Sequence, residues 1–235
     1  GLCTGATVWD AGIVLASYVR AHAGDADLLP RRAEVEAAQR TEIPPGGQRA
    51  ELRSLRCLDL GSGTGIVGLA AAASDVFDHI VLTDLPSVVP LLEANAAANK
   101  DVVVSLDYRT GDSIAVDVEC LPLRWEDESQ LAAVAARGPY DLIVAGDVLY
   151  RPPVVAPLLG ALRRLATPGV TDVLVAASLA HSPESMAAFR DACAPHFELH
   201  VVPAADQPEA RRSPEVHIYR LRKRAAQKKR RRERG

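Results

Sequence analysis

The chain has 235 residues, 48% hydrophobic and 24% charged, which suits one globular α/β domain with a buried core. It holds no run of about 18 apolar residues and no visible secretory signal, which excludes a membrane-spanning helix and argues against export. The net charge of -3 conceals an asymmetry: Arg220 to Gly235 carries +9, so the remainder carries -12. Cys3, Cys57, Cys120 and Cys193 form no C-x-x-C pair, and the six histidines show no zinc spacing. Free thiols in a reducing compartment, and no metal, are expected. The chain begins at Gly1 rather than Met, so a native N-terminus is expected upstream.

In chain order, residues 8–19, "VWDAGIVLASYV", predict a helix with an apolar face. Residues 24–54 are rich in Asp, Arg, Pro, Gly and Ala and predict a loop-rich insertion. A strand at 55–60 is followed by a helix at 65–74, a strand at 79–85 and a helix at 87–99. Ser87 is placed to cap that helix, and Pro90 is tolerable in its first turn. A strand lies within 114–123, and 141–147 is another, leading to a helix at 155–166. A strand at 172–178 and a helix at 183–194 follow, then two closing strands, "FELHVV" and "EVHIYRL". Alternating strands and helices predict a doubly wound Rossmann-like α/β sheet, mostly parallel. The last two strands have no helix between them, so they close the sheet as an antiparallel hairpin. The expected organisation is one domain over 1–219 and a basic, disordered tail over 220–235. The tail reads as a solvated end, a nuclear-import signal, or a handle for an acidic partner or RNA. It lacks aromatic residues for base stacking, which leaves only non-specific nucleic-acid contact.

"LDLGSGTGIVG" joins the first parallel strand to its helix. Gly61, Gly63 and Gly65 allow a tight turn and a close ligand approach, and the helix start offers free N–H groups. Asp84, ending the next strand, suits ribose hydroxyls. Gly63, Gly65 and Gly68 also match the dinucleotide fingerprint G-x-G-x-x-G. Against a dehydrogenase stand Asp59 inside the apolar strand, the terminal antiparallel strand, and helix–sheet packing as a sufficient reason for Gly68. Asp59 needs partners if buried, and is expected to brace the glycine loop, with a ligand amino group as a further partner. "DLIVAGDVLY" runs an apolar strand straight into Asp147 and Tyr150, before an Arg-Pro-Pro stop. A plain turn needs neither the acid nor the ring.

The glycine loop followed by "VLTDLP" resembles the seven-β-strand class of S-adenosylmethionine-dependent methyltransferases. "VWDAGIVLASYV", "DVLY" and "EVHIYRLRKR" narrow the resemblance to protein-lysine methyltransferases with a D-x-x-Y signature. It covers roughly residues 7–224. The resemblance implies that Gly61, Ser62 and Gly63 lie along the methionine and ribose of S-adenosylmethionine, with Asp84 on the ribose hydroxyls. It places Trp125 at the adenine, Gly146 against the cofactor, Trp9 over the methionine end, and Asp147 and Tyr150 facing the lysine. It also implies a protein substrate, with a chaperone or an AAA ATPase as candidates; a cytoplasmic location, also nuclear by way of the basic tail, is expected from the free thiols and the tail. The segment that family members place before V-W-D-A is absent, while 24–54 and 101–113 read as insertions.

Two further readings stand beside this one. A methyltransferase of the same fold could act on a small molecule or another non-lysine acceptor, and a binding module could hold the cofactor with little catalysis.

Overall fold

Neighbouring residues of each apolar run fall on opposite faces of one sheet. Along the first strand, Cys57 joins one buried cluster while Leu58 and Leu60 join the other. Leu142 and Val144 alternate in the same way with Ile143 and Ala145. A strand buried on both faces reads as a continuous apolar run, which is why these segments lack a polar side. The structure is a computed structural model describing residues 7–25, 27–29, 55–101, 103–106, 113–180 and 183–225.

The elements are α1 (Asp10–His22), β1 (Arg56–Leu60), α2 (Ile66–Ala72), β2 (His79–Asp84), α3 (Val89–Ala98), β3 (Val104–Leu106), β4 (Ser113–Ala115), β5 (Asp117–Pro122), α4 (Glu128–Ala135), β6 (Leu142–Gly146), α5 (Val155–Leu165), β7 (Asp172–Ser178), α6 (Pro183–Cys193), β8 (Phe197–Val201) and β9 (Val216–Lys223). Seven strands form a sheet in the order β5-β2-β1-β6-β7-β9-β8, and β3 pairs with β4 separately. The strands from β5 to β7 run parallel, and β9 lies antiparallel between β7 and β8. This is the expected doubly wound sheet with its antiparallel end. β1 lies beside β6, so strand order reverses between them, and ligands in such sheets sit at the strand ends there. α1, α2 and α3 cover one face, and α4, α5 and α6 the other.

Several sequence expectations need correction. Val88 caps α3 without a side-chain hydrogen bond, so Ser87 is not its cap; Pro90 does lie in the first turn. α4 was not foreseen from the sequence. Its start is set by Asp127, whose side chain accepts from the backbone N–H groups of Ser129 and Gln130. The β3–β4 pair fills part of the expected insertion over 101–113; residues 102 and 107–112 lie outside the described residues.

The tail boundary moves as well. Residues 220–223 belong to β9, because Leu221 is fully buried and the arginines have fixed partners. Arg220 and Arg222 both donate through Nε to the buried carboxylate of Asp172, at 3.0 Å each. Both also reach the backbone oxygen of Asp27. Leu28 and Leu29 are buried beside this point, so the beginning of the insertion returns to the core. Residues 26, 30–54 and 226–235, which hold the rest of the insertion and of the basic tail, lie outside the described residues.

Candidate active site

The loop after β1 is tied to β2 from below. Ser62 donates its backbone N–H to the Thr83 carbonyl, at 2.9 Å, and its hydroxyl to the Asp59 carbonyl, at 3.0 Å. The Thr83 hydroxyl donates to that same Asp59 carbonyl at 2.7 Å. Ser62 is therefore as much a brace between strands as a lining residue. Gly61 has φ +69°, and a Cβ there would lie 2.9 Å from Val148 Cγ1 and 3.3 Å from Trp125 Cζ2. Only glycine gives both the left-handed backbone and the close approach of these two side chains. Gly63 donates its N–H to Asp84 Oδ2 at 2.7 Å, and Leu85 donates to Asp84 Oδ1 at 2.6 Å. Burial pushes the Asp84 carboxyl up, and those two N–H groups pull it back. Each oxygen keeps acceptor capacity beyond the bond already made.

Asp59 is fully buried. Its Oδ2 accepts from the Gly68 N–H at 2.9 Å, and its Oδ1 has no hydrogen-bond partner among the described residues. Its carboxylate thus braces the glycine stretch at Gly68, in the first turn of α2, while its carbonyl holds the Ser62 hydroxyl. Burial pushes its carboxyl to about 7, with the nearby Asp84 charge adding to the rise. Gly68 is required by packing: a Cβ would lie 2.2 Å from Leu82 Cδ2.

At the end of β6, Asp147 holds the left-handed backbone with φ 57°, while its N–H donates to the Ala176 carbonyl of β7 at 2.8 Å. Such a backbone costs a residue other than glycine about 1–3 kcal/mol, and Asp tolerates it better than most. The turn sends Val148 under the glycine loop and carries the chain to the exposed Tyr150.

These strand ends open into one cavity of about 620 Å³, a size ordinary for a small-molecule site. Trp9, Asp59, Gly61, Ser62, Gly63, Asp84, Trp125, Gly146, Asp147 and Tyr150 all line it. Gly65 does not. With φ +84° it turns the loop, and its Cβ position is hemmed in by Leu92, Leu69 and Leu82. It shapes the loop without reaching the ligand space. Gly146 is on the wall, but its missing side chain makes room for protein: a Cβ would meet Val67 Cγ2 at 3.0 Å and the Gly12 Cα at 3.1 Å. The absence of a side chain there allows close packing of α1 and α2 on β6.

Sequence reasoning missed several wall residues. Gly12 lines the cavity from within α1, and an isolated glycine in a helical pattern is a signal of close approach. Leu85, Val88 and Leu123 add apolar surface to the wall that Trp125 shares, and Arg124, Glu126 and Arg151 add charge. Apart from Val88, these adjoin residues the sequence did single out: Leu85 follows Asp84, Leu123, Arg124 and Glu126 flank Trp125, and Arg151 follows Tyr150.

A family model described as lysine methyltransferase matches residues 2–189. The chain belongs to the lysine methyltransferase family. This removes the dehydrogenase reading of the glycine loop. Among curated relatives, EEF1A lysine methyltransferase 3 of Mus musculus is 29% identical over 183 residues, covering 75% of this chain and 66% of that protein. Protein N-lysine methyltransferase METTL21A of Danio rerio is 31% identical over 127 residues, covering 54% of this chain and 51% of that protein. Protein-lysine N-methyltransferase rrg1 of Schizosaccharomyces pombe is 30% identical over 101 residues, covering 41% of this chain and 30% of that protein. The matches thus span less than two thirds of these relatives' own lengths. A solved carbon methyltransferase, CurJ, shares the fold with a TM-score of 0.50 at 15% identity, over 85% of this chain and 54% of that one. The fold is that of the S-adenosylmethionine-dependent class I methyltransferases, as expected from the sequence.

Proposed function

We propose that this chain transfers a methyl group from S-adenosylmethionine to the ε-amine of a lysine in a protein substrate. The observation that carries the reading is the convergence of Asp59, Asp84, Asp147 and Tyr150 on one cavity at the switch between β1 and β6, in a member of the lysine methyltransferase family.

The cavity fits the cofactor by its donor set. Asp84 offers acceptor capacity for ribose hydroxyls, Leu85, Val88, Leu123 and Trp125 offer an apolar wall for adenine, and the buried Asp59 Oδ1 awaits a donor such as an amino group. When bound, S-adenosylmethionine supplies an electrophilic sulfonium methyl group. The chain has to present a neutral amine to it. A lysine holds its proton with a pKa of about 10.4, so freeing the lone pair at pH 7 costs about 4–5 kcal/mol. Desolvation of the amine at the site lowers that cost. A charged Asp147 acts the other way, because a carboxylate favours the ammonium. Its role is therefore to orient the amine by hydrogen bonding rather than to act as a simple base. Tyr150 edges the mouth with a ring face and a hydroxyl, and Trp9 presents a second exposed ring.

The substrate class is a lysine-bearing protein, with chaperones and AAA ATPases as candidates from the resemblance and the EEF1A of the mouse relative's name as another. Incubation of the chain with labelled S-adenosylmethionine and cell extract, followed by hydrolysis of the protein fraction, tests this. Label in methylated lysine is the expected result. Label confined to small molecules would contradict it and favour the non-lysine acceptor.

A further inference from the structure

The residue that follows the D-x-x-Y stretch is a cation. Arg151 is exposed, lines the cavity, and carries its guanidinium carbon 5.4 Å from the centre of the Tyr150 ring. A guanidinium over a ring face is attracted by it and keeps its N–H edges available. No carboxylate among the described residues forms an ion pair with it, so its charge is not already neutralised by a neighbour there. Its backbone is extended, with φ -159° and ψ 150°, and the short helical turn Pro152–Val154 begins immediately behind it. Two prolines in that turn restrict the backbone on which the arginine stands.

A cation here has two consequences for an incoming lysine. It opposes the ammonium, which lowers the lysine pKa and favours the reactive neutral amine. It also penalises approach of the positively charged side chain unless the substrate brings a negative charge to offset it. A carboxylate beside the target lysine does so, and the guanidinium fork matches a carboxylate with two parallel hydrogen bonds. We infer that Arg151 determines specificity by binding an acidic side chain of the substrate, so that the chain selects lysines with Asp or Glu within two positions. The inference rests on the lysine-acceptor reading given above and adds to it the chemistry of the flanking sequence.

The test is reaction of the full chain with labelled S-adenosylmethionine and cell extract, with every methylated lysine mapped by mass spectrometry. Mapped lysines are expected to have an acidic residue within two positions. Replacing that acid by Lys in the recovered substrate is expected to lower kcat/KM at least tenfold, mainly through KM, and added salt should narrow the gap. R151E should lose the native substrate by a similar factor and recover the acid-to-Lys substrate, while R151K should keep the native preference. Cofactor affinity measured by calorimetry should be alike in all three proteins, which separates this role from a folding defect. Mapped lysines without flanking acids, or R151E within twofold of the native protein on the same lysines, would overturn the inference. Label only on other acceptors would overturn the lysine reading itself, and this inference with it.

Discussion

At the scale of single residues, the two acids of the cofactor wall are distinguished by their partners. Asp84 is half-buried and already accepts two N–H groups, so its carboxylate is held in position for further donors. Asp84→Ala is expected to cost about 1.5–3 kcal/mol of cofactor affinity, the worth of charge-assisted hydrogen bonds. Calorimetric titration with S-adenosylmethionine checks this; unchanged affinity would remove Asp84 from the site. Asp59 has one donor and, among the described residues, one oxygen without a partner, and its carboxyl is raised from 3.8 to about 7. The folded chain therefore binds this proton where the unfolded chain has released it. Stability from this group is fully present below about pH 4 and is lost as pH rises to about 7. Asp59→Asn should flatten that part of the pH–stability curve, measured by urea unfolding between pH 4 and 8. An unchanged slope would show that Asp59 is not the titrating group. A cationic ligand group reaching Oδ1 would expel the proton, so cofactor binding near pH 6.5 should release protons, read by calorimetry in buffers of different ionisation enthalpy.

At the scale of elements, α2 is pressed onto β1 and β2 so closely that Gly68 admits no side chain. Gly68→Ala is expected to destabilise by about 1–3 kcal/mol through overpacking, and to disturb the hydrogen bond that Asp59 makes there. A midpoint in urea equal to that of the native chain would contradict this. The strands were legible because both faces of the sheet are buried, which leaves long apolar runs such as 142–146 and 172–178. α4 was not, since only Leu131 and Val134 of it are fully buried, with Ala135 packed partly against the core. Asp127 followed three residues later by Gln130 was the signal available, and Gln130 in turn accepts from the Arg124 N–H. The site divides in the same way. The glycine loop, Asp84 and the Asp147–Tyr150 stretch, with Arg151 directly after it, sit in contiguous motifs, whereas Gly12 reaches the cavity only because α1 folds against it.

At the scale of the molecule, β9 bridges the parallel strands to β8, and its last residues close a charged cluster under the sheet. Asp172, nearly inaccessible, accepts from Arg220 and Arg222, and both arginines also hold Asp27. This is why the basic end of the chain cannot be treated as a single tail. Removing residues 226–235 is expected to leave the unfolding temperature and cofactor affinity unchanged, whereas removing 220–235 should lower the unfolding temperature sharply by exposing the Leu221 site and leaving the buried Asp172 unpaired. Equal unfolding temperatures for the two deletions would contradict the assignment of 220–223 to the sheet. The same topology places β1 beside β6, and with them the cofactor wall beside Asp147. The central claim is that methyl transfer to lysine occurs at this junction. Single-turnover transfer to the mapped substrate lysine, with cofactor saturating, tests it most directly by comparing the native chain with Asp147→Asn. The account predicts near-native cofactor affinity and at least a tenfold slower transfer, a barrier change of about 1.4 kcal/mol or more; transfer at the native rate would contradict it.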